Sequence, residues 1–128
     1  IHGDPLTEYP FFLGHADERG VGAGLGFNLN LPLPRGTAFL AWRAALSQAL
    51  ARIREFSADA LVVSLGLDTF DGDPVSGFKL HSPDFLQVGA DLARAGLPTV
   101  FVFEGGYAVQ ALGVNAVNVL EGFLSVAA

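Results

Sequence analysis

No cysteine and no methionine occur among the 128 residues. The first absence excludes disulfides, thiolate metal sites and cysteine nucleophiles. With no disulfide and no visible targeting segment, the cytoplasm is the expected compartment. The second absence, with a start at Ile1, implies a chain that continues something upstream. Charge is also scarce, at 16%, and thin in cations: seven Lys and Arg against 13 Asp and Glu, for a net charge of −6. Scattered cations of that number form no basic patch, so a nucleic-acid partner is not expected. No apolar run reaches the roughly 18 residues of a membrane span, so no membrane partner is expected either. What the chain does have is apolar bulk. A hydrophobic share of 51% rules out disorder and suits one compact domain, or part of a larger one, over residues 1–128.

Residues 1–26 read as loop, with alternating Gly20, Gly22, Gly24 and Gly26 that permit tight turns beside a packed surface. They are not a dinucleotide fingerprint, because the G-x-G-x-x-G spacing fails and no strand precedes them. Residues 27–31 alternate as a short strand that Pro32 and Pro34 end. From Ala38 to Phe56, apolar residues recur at helical spacing, with Arg43, Gln48, Arg52 and Glu55 on the other side. Ala60–Gly66 is a short continuous apolar run, as expected of a strand buried on both faces of a parallel sheet. Ser82-Pro83-Asp84 reads as a helix start with a capping hydroxyl, and Gly96 and Pro98 as its stop. Val100–Phe103 is a further strand. A last helix from about Ala108 carries Leu112, Ala116, Leu120 and Phe123 on one face. Strands thus alternate with helices, which predicts an α/β fold with a small parallel sheet and no internal domain boundary.

In such folds functional groups gather at the carboxyl ends of the strands. Two segments end there: Gly66–Pro74, with Asp68, Asp71 and Asp73, and Glu104-Gly105-Gly106-Tyr107. If the two strands are adjacent and parallel, Asp68 faces the same space as Tyr107. Asp oxygens at a strand end suit a hard or borderline cation, and Asp68 is the candidate ligand. For Asp71 and Asp73 the expected role is Asx capping of a turn. The Tyr107 phenol could donate to a developing oxyanion, or the ring could simply start the last helix. Glu104 reads as structural. His2, His15 and His81 show no metal-ligand spacing, so the chain holds at most part of a three-ligand zinc site.

Taken in order, several motifs form a recognisable set. They are His2–Pro5, Tyr9–Phe12, Asp17–Gly20, the alternating glycines, Asn28–Pro34, Ser64–Thr69, Asp73-Pro74 and Glu104–Tyr107. With them the chain resembles the C-terminal part of a zinc-dependent deacetylase of the histone deacetylase superfamily, most closely its bacterial acetylpolyamine amidohydrolases. The resemblance implies the parallel-sheet fold shared by arginases and deacetylases. It implies hydrolysis of an acetyl amide, on an acetylated polyamine or acetyl-lysine, by the complete enzyme and not by this chain alone. It makes Asp68 a Zn2+ ligand and Tyr107 the group that polarises the acetyl carbonyl. Phe12 becomes one wall of the substrate channel, and Gly105 and Gly106 lie near its floor. The carbonyls of Ile1 and Phe27 fall where monovalent-cation (K+) sites are completed. It also favours a homodimer. Two other readings stay open. One is an arginase-like binuclear hydrolase with Asp71 and Asp73 as bridging ligands; the other is a non-catalytic α/β interaction module.

Overall fold

The computed structural model describes residues 1–9 and 11–127. Pro10, within the Tyr9–Phe12 motif, and Ala128 lie outside the described residues. Four strands and three α-helices follow one another as β1 (His2–Gly3), β2 (Pro32–Leu33), α1 (Phe39–Phe56), β3 (Leu61–Leu65), α2 (Asp84–Ala93), β4 (Thr99–Phe103) and α3 (Val109–Ala127). A single 3-10 turn at Gly22–Gly24 interrupts the long first loop. The α/β alternation is as expected, but the strands form two parallel pairs, β1–β2 and β3–β4, and not one three-stranded sheet.

Three local expectations shift. The strand expected over residues 27–31 lies one step later, at Pro32–Leu33. Asn28 and Asn30 are drawn elsewhere: their side-chain amides donate to the carbonyls of Glu18 and His15. That ties the segment to the preceding loop, and pairing starts only where the His2 N–H reaches the Leu31 carbonyl. The α2 start is not capped by the Ser82 hydroxyl. The Asp84 carboxylate instead accepts the His81 N–H at 2.7 Å, while the Ser82 carbonyl accepts from Asn118. The alternating glycines are exposed and not set beside a packed surface; Gly20, Gly22 and Gly26 do take positive φ.

The core lies on one face of β3–β4. Leu65, Leu67, Phe78, Leu80, Phe85 and Val119 form one buried cluster, and Leu46, Leu50, Val88 and Leu92 a second. Val62, Val100 and Val102 point away from it and are exposed, so the residues of this chain cover only one face of these strands. On α3, Leu112, Ala116 and Phe123 pack against the core as expected. Asn115, Val119 and Gly122 are buried, whereas Leu120 is exposed. A pair of glycines marks the α2–α3 crossing. A Cβ on Gly89 would strike the Val119 carbonyl, and one on Gly122 the Leu86 carbonyl. Without those atoms the two backbones close on each other. By length and composition α3 is also apolar enough to cross a membrane, which revises the expectation that no such segment exists.

Across the same layer, Asp91 on α2 forms a bidentate pair with Arg43 on α1, at 2.6 and 2.9 Å, and a further bond to Arg94. The Arg43 guanidinium, through its hydrogen bonds and charge, holds the Asp91 carboxyl below the usual carboxylate range. This pair ties α1 to α2 and so fixes the layer on which β3 and β4 rest.

Candidate active site

β3 and β4 pair in parallel from Leu61 opposite Thr99 to Leu65 opposite Phe103. Both strands therefore end at the same level, and their following loops emerge side by side. The pairing runs on past the strands: the Glu104 N–H donates to the Leu65 carbonyl and the Leu67 N–H to the Gly105 carbonyl, at 3.1 and 2.8 Å. Asp68 is thereby brought beside Gly105.

Two absent side chains make room for the Asp68 carboxylate. A Cβ on Gly66 would lie 2.7 Å from Asp68 Oδ1, and a Cβ on Gly105 would lie 2.7 Å from its Cγ. Neither glycine has a positive φ, so the need there is for space and not for an unusual backbone. The carboxylate is half-buried in this cradle, and among the described residues it forms no salt bridge. Burial, together with the charges of Asp73 and Glu104, pushes its pKa up. A desolvated anion without a cation is what a metal ligand looks like before its metal, so Asp68 fits the metal expected of it. It stands alone in that respect. Among the described residues no three His, Cys, Asp or Glu side chains converge into a cation site.

Gly106 has φ +142°, a region that L side chains rarely adopt, and a Cβ there would also meet Leu112 and Leu67. It turns the chain out of β4 so that Tyr107 stands at the entry to α3. Tyr107 is 53% exposed. Its N–H donates to Asp73 Oδ2 at 2.7 Å, and the Ala108 N–H to the same oxygen at 3.2 Å. Asp73 Oδ1 accepts the N–H groups of Val75 and Ser76. Asp73 is thus the Asx-turn residue expected, and it also anchors Tyr107, which the sequence reading missed. Asp71 instead pairs with the Lys79 ammonium, a different use from the turn cap expected. With these partners neither is available as a bridging metal ligand.

The other candidates are not gathered here. Phe12 is 88% exposed on the first loop and lines neither of the two main cavities. Ile1 borders a cavity of about 360 Å³ between β1 and β3, which Asp68, Thr69 and Ser64 also line. Phe27 borders a separate one of about 320 Å³, stacked edge-on against Phe56, and Arg52 already donates to the neighbouring Gly26 carbonyl. Glu104 is exposed at the end of β4, not a buried structural carboxylate. His2 is structural: its Nδ1 lies 2.9 Å from the Gly3 carbonyl and its ring fills the space a Cβ on Gly14 would need.

Known proteins resemble this chain in sequence and fold. The chain is 59% identical, over 96% of its length, to acetylpolyamine amidohydrolase 1 of Pseudomonas aeruginosa. It is 51% identical, over 95% of its length, to the acetylpolyamine amidohydrolase of Mycoplana ramosa. It spans 36% of the length of each of these relatives. The crystal structure of acetylpolyamine aminohydrolase from Burkholderia pseudomallei superposes with a TM-score of 0.96 at 43% identity, covering 98% of this chain and 37% of that one. A histone deacetylase homologue from Aquifex aeolicus superposes with a TM-score of 0.86 at 29% identity, covering 98% and 33%. The profile of the histone deacetylase domain matches residues 1–123, and by that match the chain belongs to the histone deacetylase family.

Proposed function

We propose that the protein to which this chain belongs is a zinc-dependent deacetylase that hydrolyses the acetyl amide of an acetylated polyamine to acetate and the free amine. The juxtaposition of Asp68, cradled by two glycines, with the Gly105-Gly106-Tyr107 turn carries this reading. Asp68 would be one of the protein ligands to Zn2+, the remainder coming from outside this chain, since a catalytic site needs three. Bound there, zinc supplies Lewis acidity toward the amide carbonyl and a water acidic enough to act near neutral pH.

The residues of this chain do the rest. The half-exposed Tyr107 phenol donates a hydrogen bond to the carbonyl oxygen as negative charge gathers on it. Gly105 and Gly106 would lie near the floor of the substrate channel. Phe12, exposed on the first loop, would become an apolar channel wall together with parts of the protein outside this chain. The carbonyls of Ile1 and Phe27 would complete separate K+ sites. The names of the relatives support the polyamine over acetyl-lysine, and the net charge of −6 favours a small cationic substrate. A homodimer working in the cytoplasm, without nucleic-acid or membrane partners, completes the reading; the packing of α3 on α2 through Gly89 and Gly122 supports a core helix over a span.

The test is Tyr107→Phe in the complete protein. Loss of one oxyanion donor lowers turnover by about 10²–10³ with zinc retained. Wild-type turnover in that variant rejects the assignment, and acetyl-lysine peptide preferred over acetylated polyamine rejects the substrate.

A further inference from the structure

We propose that Asp73 is a positioning residue for the reaction, holding the Tyr107 turn at the working distance from the site. The inference rests on the reading of Tyr107 as the oxyanion donor. Asp73 is 7% exposed, yet no cationic side chain pairs with it among the described residues. Its charge is instead spread over four backbone N–H groups from two segments. Oδ1 takes Val75 at 2.9 Å and Ser76 at 3.4 Å; Oδ2 takes Tyr107 at 2.7 Å and Ala108 at 3.2 Å. Those bonds occupy the lone pairs of a carboxylate, so Asp73 has no free oxygen for proton transfer or metal binding. Both Oδ2 donors lie just before α3 begins at Val109, so Asp73 anchors the turn that leads into that helix.

Why this matters lies in how Tyr107 is held. Its side chain makes no hydrogen bond among the described residues. The residue is secured through its backbone alone, N–H to Asp73 and carbonyl to the Val109 N–H. Gly106, at φ +142°, is a pivot with no side chain to stiffen it. Asp73, in contrast, sits on a loop that is itself braced. Its own N–H donates to the Phe70 carbonyl, and Phe70 bridges to Leu80. The same loop leaves β3 through Asp68. One rigid segment therefore carries the metal-ligand candidate and, five residues on, the clamp on the oxyanion donor. The separation between the two groups is set by that segment, and misplacing a reacting group by about 1 Å costs on the order of 10² in rate.

The experiment compares Asp73→Asn, Tyr107→Phe and the double variant in the complete protein. Turnover, KM, bound zinc and amide exchange of the 105–112 segment are followed in each. An Asn keeps the size but turns an NH2 toward one pair of N–H donors, so one half of the clamp is lost. Asp73→Asn is expected to lower kcat by about 10–100-fold with KM and zinc content little changed. Exchange should rise in 105–112 and not in β3. In the Tyr107→Phe background the same substitution should cost almost nothing further. An equal loss in both backgrounds, or unchanged exchange, overturns the proposal. Should Asp73→Asn fail to fold, Asp73→Ser keeps a capping oxygen and takes its place in the same cycle. Wild-type turnover in Tyr107→Phe would instead sink the reading of Tyr107 as the oxyanion donor, and the exchange data would still report whether Asp73 holds the turn.

Discussion

Gly105→Ala separates a site effect from a folding effect. The Gly105 backbone is pinned, because its carbonyl accepts the Leu67 N–H at 2.8 Å and the β3–β4 ladder precedes it. Its φ suits an L residue, so the added methyl strains no backbone. The strain falls on Asp68, whose Cγ would lie 2.7 Å from the new carbon. Carbon atoms in contact prefer about 3.5–4.0 Å, so the carboxylate must retreat by roughly 1 Å. Metal ligands tolerate about 0.2 Å. With Asp68 in its proposed role as a zinc ligand, zinc affinity and turnover should therefore both fall by about 10²-fold, or ~3 kcal/mol. Folding should scarcely notice. A side chain forced off its rotamer costs about 0.5–1.5 kcal/mol, and Gly→Ala regains about 0.4–1 kcal/mol by restricting the unfolded chain. Chelator competition for zinc, beside urea denaturation of the metal-free complete protein, reads the two effects separately. Zinc held as tightly as in the parent refutes the cradle. A loss of several kcal/mol in the metal-free protein shows Gly105 to be a packing residue instead.

Other variants test the scaffold in the complete protein. Gly122→Ala places a methyl against the Leu86 carbonyl at the α2–α3 crossing, and urea denaturation should show a loss of about 1–3 kcal/mol or more. Gly113→Ala, in the same helix but facing open space, should stabilise by about 0.5–1 kcal/mol in the same measurement. Asp91 titrates below its unfolded value of about 3.9, so its stabilisation is present above that pH and disappears as pH falls through the folded pKa. Asp91→Asn should therefore cost about 1–3 kcal/mol at pH 7, and the difference from wild type should close as pH is lowered below about 4. An unchanged difference at pH 3 would show that the loss is packing and not charge.

Sequence alone determined the elements whose signals are local. The helical spacing from Phe39 to Phe56 and the apolar runs of β3 and β4 need no distant partner to be read. Their alternation implied a parallel sheet, and from that followed the meeting of Asp68 with the Tyr107 turn. The resemblance of the motifs to histone deacetylases was equally legible, because it is a property of residue order. Tertiary structure decided what depended on a partner far along the chain. Asn28 and Asn30 pull their segment toward Glu18 and His15, which moves a strand. Gly89 and Gly122 let the backbones of α2 and α3 meet. Above all, a carboxylate does not reveal its partners by type or spacing. Asp68 between two glycines, Asp71 beside Lys79 and Asp73 under the Tyr107 turn are one residue type within one loop. Burial and the donors within reach give them different roles, because a desolvated carboxylate must be matched by a cation or by hydrogen-bond donors, and only the folded chain determines which are near.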